Sequence, residues 1–358
     1  MTAARHIILS DVSTDELQAA LQSALDQHFH TSRAIVALTR RPSEYRTSFP
    51  LEEIDVTLAG GERLSLLYKE VRWESLSENA RRAKPEFLYD SLRELLVYRH
   101  VLSRSKHETA TFYGPLQIER QPARIGLFLE KVVAKELYQI GELPLWCEAA
   151  RWLARFHATF SDTWKELSPD ITSHLLVWTP EGLRRFRERA EQFVQPKLST
   201  DEGRTFRNVV AVHEQAIERL TQLPPTLLHG EFYASNVLVD ETRTPGRVCP
   251  IDWEMAGIGP GLLDLSALVA GDWTNADRDT ITRAYFDEWQ SQIMQSQKML
   301  TQETRFGNFN HFAENLLYCR LHLAMQWLGW SDDWSPPTEH RHNWLGEAFE
   351  LAERLGRR

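Results

Sequence analysis

The chain has 358 residues, 42% of them hydrophobic and 25% charged, which is the composition of a folded globular protein long enough for two lobes. Its net charge of -9 and pI near 5.8 exclude a protein that tracks nucleic acid through clustered phosphate contacts. No run approaches the roughly 18 to 20 apolar residues that cross a bilayer. The N-terminus has no basic-then-apolar leader, and Cys147, Cys249 and Cys319 have no disulfide or zinc spacing. A cytoplasmic protein without membrane or nucleic-acid partners is expected.

Ser13 followed by Glu16 forms a capping box, and Leu17, Leu21 and Leu25 extend it as an amphipathic helix from 14 to about 28. Short β-rich runs follow at 34–38, 54–58 and 64–71, and Gly60 and Gly61 mark a hairpin between the last two. Leu88, Leu92, Leu95, Leu96 and Val101 predict a helix from 86 to about 103. Strand-like runs return at 112–118 and 125–129. Beyond Pro144 the pattern is mostly helical, near 145–160, 181–196, 202–221 and 302–330. An island of loops and short strands from Pro224 to Asp252 interrupts it.

That island carries the chemistry. Its centre reads Leu227, Leu228, His229, Gly230, Glu231, Phe232, Tyr233, Ala234, Ser235, Asn236, an apolar frame around a polar loop. A carboxylate and an amide in one loop suit phosphoryl transfer, which needs an acid to orient or deprotonate the acceptor hydroxyl and neutral oxygen for Mg²⁺. A β-prone run then ends in Ile251, Asp252, Trp253, Glu254, placing Asp252 to share the metal with Asn236. His229 reads as a brace that hydrogen-bonds backbone, with the base role falling to Glu231. Asp264 reads as a helix cap or brace for the apolar run that follows.

These residues resemble the pattern H-G-D-x-x-x-x-N followed by I-D-W-E of the aminoglycoside phosphotransferase and choline kinase family. His229, Gly230 and Asn236 match its first part, and Ile251, Asp252, Trp253 and Glu254 its second. Gly257, Gly259 and the segment 264–268 continue the match. The resemblance implies an α+β, bilobal protein-kinase-like fold: a small β-rich nucleotide-binding N-lobe over 1–130 and a larger, mostly helical C-lobe over 131–358 with the catalytic loop and acceptor site. It also implies ATP, with GTP as an alternative donor, Mg²⁺, and transfer to a hydroxyl of an aminoglycoside-, amino alcohol- or sugar-like acceptor. Glu231 stands where the family usually has Asp, which hardly alters basicity but changes reach and rotamer freedom.

On the nucleotide side, Lys69 lies in an apolar strand, and by resemblance it meets phosphates while Glu94 holds its ammonium. No G-x-G-x-x-G precedes Lys69, and Gly230 stands where protein kinases have arginine, so a protein kinase is disfavoured. Ser43, Thr47 and Ser48, between two strand-like runs, are candidates to cradle phosphates. Glu130 ends the strand that the resemblance makes the lobe connection, with backbone contacts to the base. Phe312, Tyr318, Trp327, Trp330, Trp334 and Trp344 read as core aromatics, and Glu314, Asp332 and Asp333 as acids that suit either a cationic acceptor or solvent. The Glu231 substitution leaves open a nucleotide-binding pseudokinase with a regulatory or scaffold role.

Overall fold

A computed structural model describes residues 10–45, 48–119, 123–243, 246–295, 307–332 and 341–357. The chain divides into two compact units, residues 1–133 and 134–358.

The first unit opens with α1 (Thr14–Phe29), closed at its N-terminus by the reciprocal Ser13 and Glu16 bonds of the capping box. Five antiparallel strands follow: β1 (Ile35–Pro42), β2 (Leu51–Leu58), β3 (Arg63–Glu70), β4 (Phe112–Ile118) and β5 (Arg124–Glu130), in the order β1-β2-β3-β5-β4. The turn from β2 to β3 needs left-handed backbone, supplied by Gly60 and Gly61 at φ of 107° and 87°. Leu17, Leu21 and Leu25 of α1 form one buried cluster with Ile54, Val56, Leu58, Leu66, Tyr68 and Phe128 from one face of the sheet. At about 1.5–3 kcal/mol for each large apolar side chain, this cluster fixes strand register, because a one-residue slip would turn every inward residue outward.

Between β3 and β4 lie two helices, α2 (Glu78–Ala83) and α3 (Arg93–His100). The helix expected to begin at residue 86 begins at Arg93 instead. Asp90 accepts the N–H groups of Leu92 and Arg93 at 2.8 and 3.0 Å, which sets the start there, and 86–88 is a separate 3₁₀ turn.

The second unit is built from helices α4 (Leu143–Thr163), α5 (Pro169–Thr172), α6 (Pro180–Val194), α7 (Thr200–Leu220), α8 (Leu262–Leu268), α9 (Asn275–Gln295), α10 (Phe309–Leu328) and α11 (Trp344–Gly356). Six short strands sit among them: β6 (Lys135–Glu136), β7 (Leu176–Val177), β8 (Pro225–Leu228), β9 (Val237–Asp240), β10 (Arg247–Pro250) and β11 (Gly257–Pro260). They form two three-stranded sheets, β10-β9-β6 and β7-β11-β8. Helix α9 was not anticipated; its polar opening turn hides a buried stripe of Ile281, Ala284, Tyr285, Trp289 and Ile293. Among the described residues, no helix is long and apolar enough to cross a membrane.

Candidate active site

Strand β8 ends at Leu228 and delivers His229 to the central loop, which closes where Asn236 leads into β9. Strands β9 and β10 pair antiparallel with Val237 opposite Pro250, so Asn236 lies next to Ile251 and the loop bearing Asp252. Two hydrogen bonds lace the loops together: Ile251 N–H donates to Asn236 O at 2.9 Å, and His229 Nε2 lies 2.8 Å from Ile251 O. Register thus brings the two sequence-predicted metal ligands to neighbouring positions.

The loop rests on aromatic side chains. Trp152 and Phe156 of α4 stack against each other, and Phe232 and Trp253 pack onto them with centroids 5.9 and 5.2 Å away. The imidazole of His229 sits over this floor, 4.5 Å from the Trp253 ring and 5.7 Å from Phe232. Gly230 has φ of 87°, and a Cβ there would lie 2.1 Å from Met255 O, so no larger residue fits the turn.

Asp264 holds the loop from behind. It lies in the first turn of α8, but Gly261 occupies the cap position, so Asp264 braces the loop rather than capping its own helix. Its carboxylate accepts the N–H groups of His229 at 2.7 Å and Gly230 at 2.8 Å. His157 of α4 reaches Asp264 with Nε2 at 3.1 Å and Tyr285 of α9 with Nδ1 at 2.9 Å, and all three side chains are buried. Burial, reinforced by the Asp264 charge, pushes the Tyr285 phenol well above its ordinary pKa and keeps it protonated. Sequence reading did not single out His157 or Tyr285. His157 is a polar side chain on the apolar stripe of the amphipathic helix α4, and that mismatch was the available signal; Tyr285 lies on α9, whose diluted pattern gave none.

Within the loop, both ring nitrogens of His229 face backbone. Nδ1 accepts from Glu231 N–H at 3.3 Å, so the proton sits on Nε2 and points to Ile251 O. Both ring nitrogens of His229 are thus engaged by backbone, and the imidazole holds the two loops together. The Asn236 amide donates Nδ2–H to Glu231 O at 3.0 Å, which leaves its Oδ1 as the atom to offer a cation. Asp252 adopts φ 65° and ψ 65°, a left-handed conformation that costs a non-glycine residue on the order of 1 kcal/mol. Such strain in a loop is kept where the direction of the side chain matters. Burial, and then the Glu231 charge, pushes the Tyr233 phenol well above its usual pKa, so it too stays protonated.

Among the described residues no group of three or more His, Cys, Asp or Glu side chains could hold a metal. Mg²⁺ needs no such cage, since one or two protein oxygens suffice when phosphates and water complete its octahedron, and Asn236 with Asp252 is a set of that kind.

In the first unit, Lys69 Nζ lies 2.7 Å from Glu94 Oε2, with side chains 12% and 3% exposed. Strand β3 and helix α3 therefore present one ammonium held by one buried carboxylate. Ser43 is buried; its N–H donates to Leu51 O at 2.8 Å and its Oγ accepts from Tyr45 N–H at 3.3 Å, a turn-closing arrangement. Ser48 is half-buried and its carbonyl accepts Ser77 N–H. Thr47 lies outside the described residues. The Glu130 carboxylate accepts both N–H and hydroxyl of Thr111 at 3.0 Å, and the Glu130 N–H donates to Thr111 O. A base read by this segment would meet peptide groups beyond that N–H.

Of the aromatics read as core, Phe312 is fully buried and Trp344 nearly so, while Tyr318, Trp327 and Trp330 are half-buried. Asp332 pairs with Lys197 at the surface. Asp333 and Trp334 lie outside the described residues.

A five-stranded antiparallel sheet in one unit, and a helical unit carrying this loop, give a protein-kinase-like α+β fold, which solved small-molecule kinases also have. Residues 126–299 match the model of the phosphotransferase enzyme family, a span that includes His157, His229, Glu231, Asn236, Asp252, Asp264 and Tyr285. Lys69 and Glu94 precede it. The chain is similar in structure to an amicoumacin kinase in complex with AMP-PNP, Ca²⁺ and Ami, with a TM-score of 0.55 and 12% identity over 95% of this chain and 93% of that one. It is similar to a variant of aminoglycoside 2'-phosphotransferase IIIa in complex with GDP, with a TM-score of 0.54 and 13% identity over 95% and 97% of the two chains. It is also similar to an ethanolamine kinase of Plasmodium vivax, with a TM-score of 0.53 and 12% identity over 89% and 81%. No curated protein matches the chain.

Proposed function

We propose that the protein is a metal-dependent kinase of small molecules, transferring the γ-phosphoryl group of ATP or GTP to a hydroxyl of an aminoglycoside-, amino alcohol- or sugar-like acceptor. The observation that carries this reading is the lacing of the two loops: the β9-β10 register and the His229 and Asn236 bonds to Ile251 set Asn236 beside the Asp252 loop.

Bound by Asn236 Oδ1 and the Asp252 carboxylate, Mg²⁺ would neutralise charge on the phosphate oxygens. By the family pattern, Lys69, held by Glu94, is the residue of the first unit that would meet nucleotide phosphate. Glu231 receives the hydrogen bond of the acceptor hydroxyl and takes its proton as the new P–O bond forms and the bond to the departing nucleoside diphosphate breaks. Glu231 is fitted to this task because its backbone is pinned on both sides, with its carbonyl accepting Tyr233 N–H at 2.7 Å and Asn236 Nδ2–H at 3.0 Å. The extra methylene relative to Asp moves the carboxylate outward from a fixed stem.

An acceptor screen that reads ADP and GDP formation with Mg²⁺ tests the assignment, with Glu231→Gln as the control. Turnover with one class of hydroxyl compound, lost in the variant while nucleotide binding persists, supports it. Turnover equal in wild type and variant for every acceptor refutes it.

A further inference from the structure

Four rings form a ladder that leads away from the central loop. Tyr233, two residues beyond Glu231, meets Trp327 of α10 with ring centroids 5.5 Å apart. Trp327 lies parallel to Trp344, the first residue of α11, at 5.3 Å and 7°. His342 stands nearly perpendicular to Trp344 at 4.8 Å, and its carbonyl accepts Trp344 N–H at 2.9 Å. The helix behind Trp327 is pinned, because Arg189 of α6 donates to Gly329 O and Trp330 O at 2.6 and 2.7 Å where α10 ends. A change at Trp344 therefore reaches Tyr233 through the Trp327 ring rather than through its backbone.

The far end of the ladder is charged. His342 Nε2 lies 2.6 Å from Glu347 Oε2, and its Nδ1 lies 3.3 Å from Asp272 Oδ1. Both ring nitrogens face carboxylate oxygens, and only an imidazolium can donate to both; a neutral ring would turn a lone pair on one of them. Glu347 of α11 is held in turn by Arg320 of α10, whose Nε donates to Oε1 at 3.1 Å, with side chains 9% and 10% exposed. The further charges that act here are Arg278 and Asp279 of α9 and Glu350 of α11, and the Arg278 guanidinium is taken up by Val269 O and Gly271 O at 3.2 and 2.9 Å. The hydrogen bond to Glu347 raises the His342 pKa against the opposing effect of burial.

We propose that His342 is a positioning residue for the central loop: as an imidazolium between Glu347 and Asp272 it seats Trp344, and through the parallel Trp344 and Trp327 rings it holds the Tyr233 end of the loop that carries Glu231. Tyr233 N–H donates to Glu231 O at 2.7 Å, so a shift of Tyr233 is felt at the stem of Glu231. The ladder is set while His342 is protonated, and it loosens as pH rises through the His342 pKa, when one ring nitrogen no longer donates. The consequence for turnover rests on the phosphotransfer reading above; the coupling from His342 to the loop does not.

Amide hydrogen exchange of the full-length protein tests it, read on peptides covering 229–236 at about pH 6 and about pH 9 and corrected for the intrinsic pH dependence, in wild type, His342→Gln and Trp344→Leu. The wild-type loop is expected to exchange about two- to thirtyfold faster at the higher pH, and both variants to exchange fast at either pH. Trp344→Leu keeps His342 and its two carboxylates, so a pH response that survives in it overturns the route through the ladder. A response unchanged in His342→Gln overturns the role of the imidazolium, and an equal acceleration in peptides of α4 overturns the proposal in favour of general loosening. With the acceptor found by screening, wild-type kcat falls over the same pH range; a kcat profile identical in wild type and His342→Gln overturns the positioning role. Exchange that responds as expected in a protein that turns over no acceptor supports the coupling and sinks only the phosphotransfer reading.

Discussion

Asp264 is the single side chain on which most of the loop geometry depends, and replacing it by Asn keeps volume while changing one atom from acceptor to donor. In the native protein its two oxygens accept His229 N–H and Gly230 N–H at 2.7 and 2.8 Å, and His157 Nε2 lies 3.1 Å from one of them. Hydrogen bonds to a charged acceptor contribute about 1.5–3 kcal/mol each, and a buried donor left without an acceptor costs about 1–3 kcal/mol. In Asp264→Asn one backbone N–H must face an amide N–H, so the stability loss is about 2–4 kcal/mol, and Asp264→Ala, which loses both bonds, falls further. For a unit of this size the Asn variant then melts roughly 5–12 °C lower. The catalytic consequence is separate from the melting one. A displacement of about 1 Å in the loop that holds Glu231 and Asn236 lowers turnover about a hundredfold, while nucleotide affinity changes less. The assay is a thermal melt paired with steady-state kinetics on the acceptor found by screening, reading kcat and KM separately at a temperature where the variant is folded. An Asp264→Asn protein with unchanged melting temperature and unchanged kcat would refute the role given to this carboxylate.

Three further outcomes are expected. Asp252→Gly relieves the left-handed backbone and raises stability by about 1 kcal/mol, whereas Asp252→Ala does not; both lose Mg²⁺-enhanced nucleotide binding, so melting curves with and without nucleotide separate strain from ligation. Glu231→Gln lowers kcat by about 10²- to 10⁴-fold, and Glu231→Asp shows through kcat alone whether the longer reach is the fitted one. Two histidine sites give opposite pH dependences. Burial pushes His322 down to about 3, so the folded state holds it neutral and its contribution is full above about pH 6.5 and lost as pH falls toward 3; His322→Gln flattens that acid-side slope in melting temperature. The hydrogen bond to Glu347 raises His342, so its contribution is full below about pH 6.5 and lost as pH rises through the elevated value; His342→Gln removes that loss.

The parts of the fold legible in the sequence were those fixed by local chemistry. The capping box at Ser13, the Gly60-Gly61 turn and the strand-like run of β4 each depend on residues a few positions apart, and each element lies where it was expected. Helix α9 escaped because its buried stripe is diluted by polar residues, and the start of α3 escaped because Asp90, inside the periodic stretch, turns its carboxylate onto the N–H groups of Leu92 and Arg93. The same division runs through the site. That Asn236 and Asp252 are neighbours could be read from spacing, since they flank β9 and β10, which pair within a short hairpin. The support for them could not, because Asp264, His157 and Tyr285 meet only after α4, α8 and α9 have packed, over sequence separations of 107 and 128 residues. The pairing of Lys69 with Glu94 lay between these cases, suggested by the family pattern and seen at 2.7 Å.

The central claim is that Asp252, beside Asn236, holds a divalent cation together with a nucleotide. A thermal-shift titration of wild type and Asp252→Ala with ATP and GTP, each with and without Mg²⁺, addresses it directly, because a ligand specific for the folded state raises the melting temperature by mass action. The account predicts a shift in the wild type that Mg²⁺ enlarges and that Asp252→Ala loses. A Mg²⁺-enhanced shift of the same size in both proteins, or no shift with either nucleotide, would contradict it.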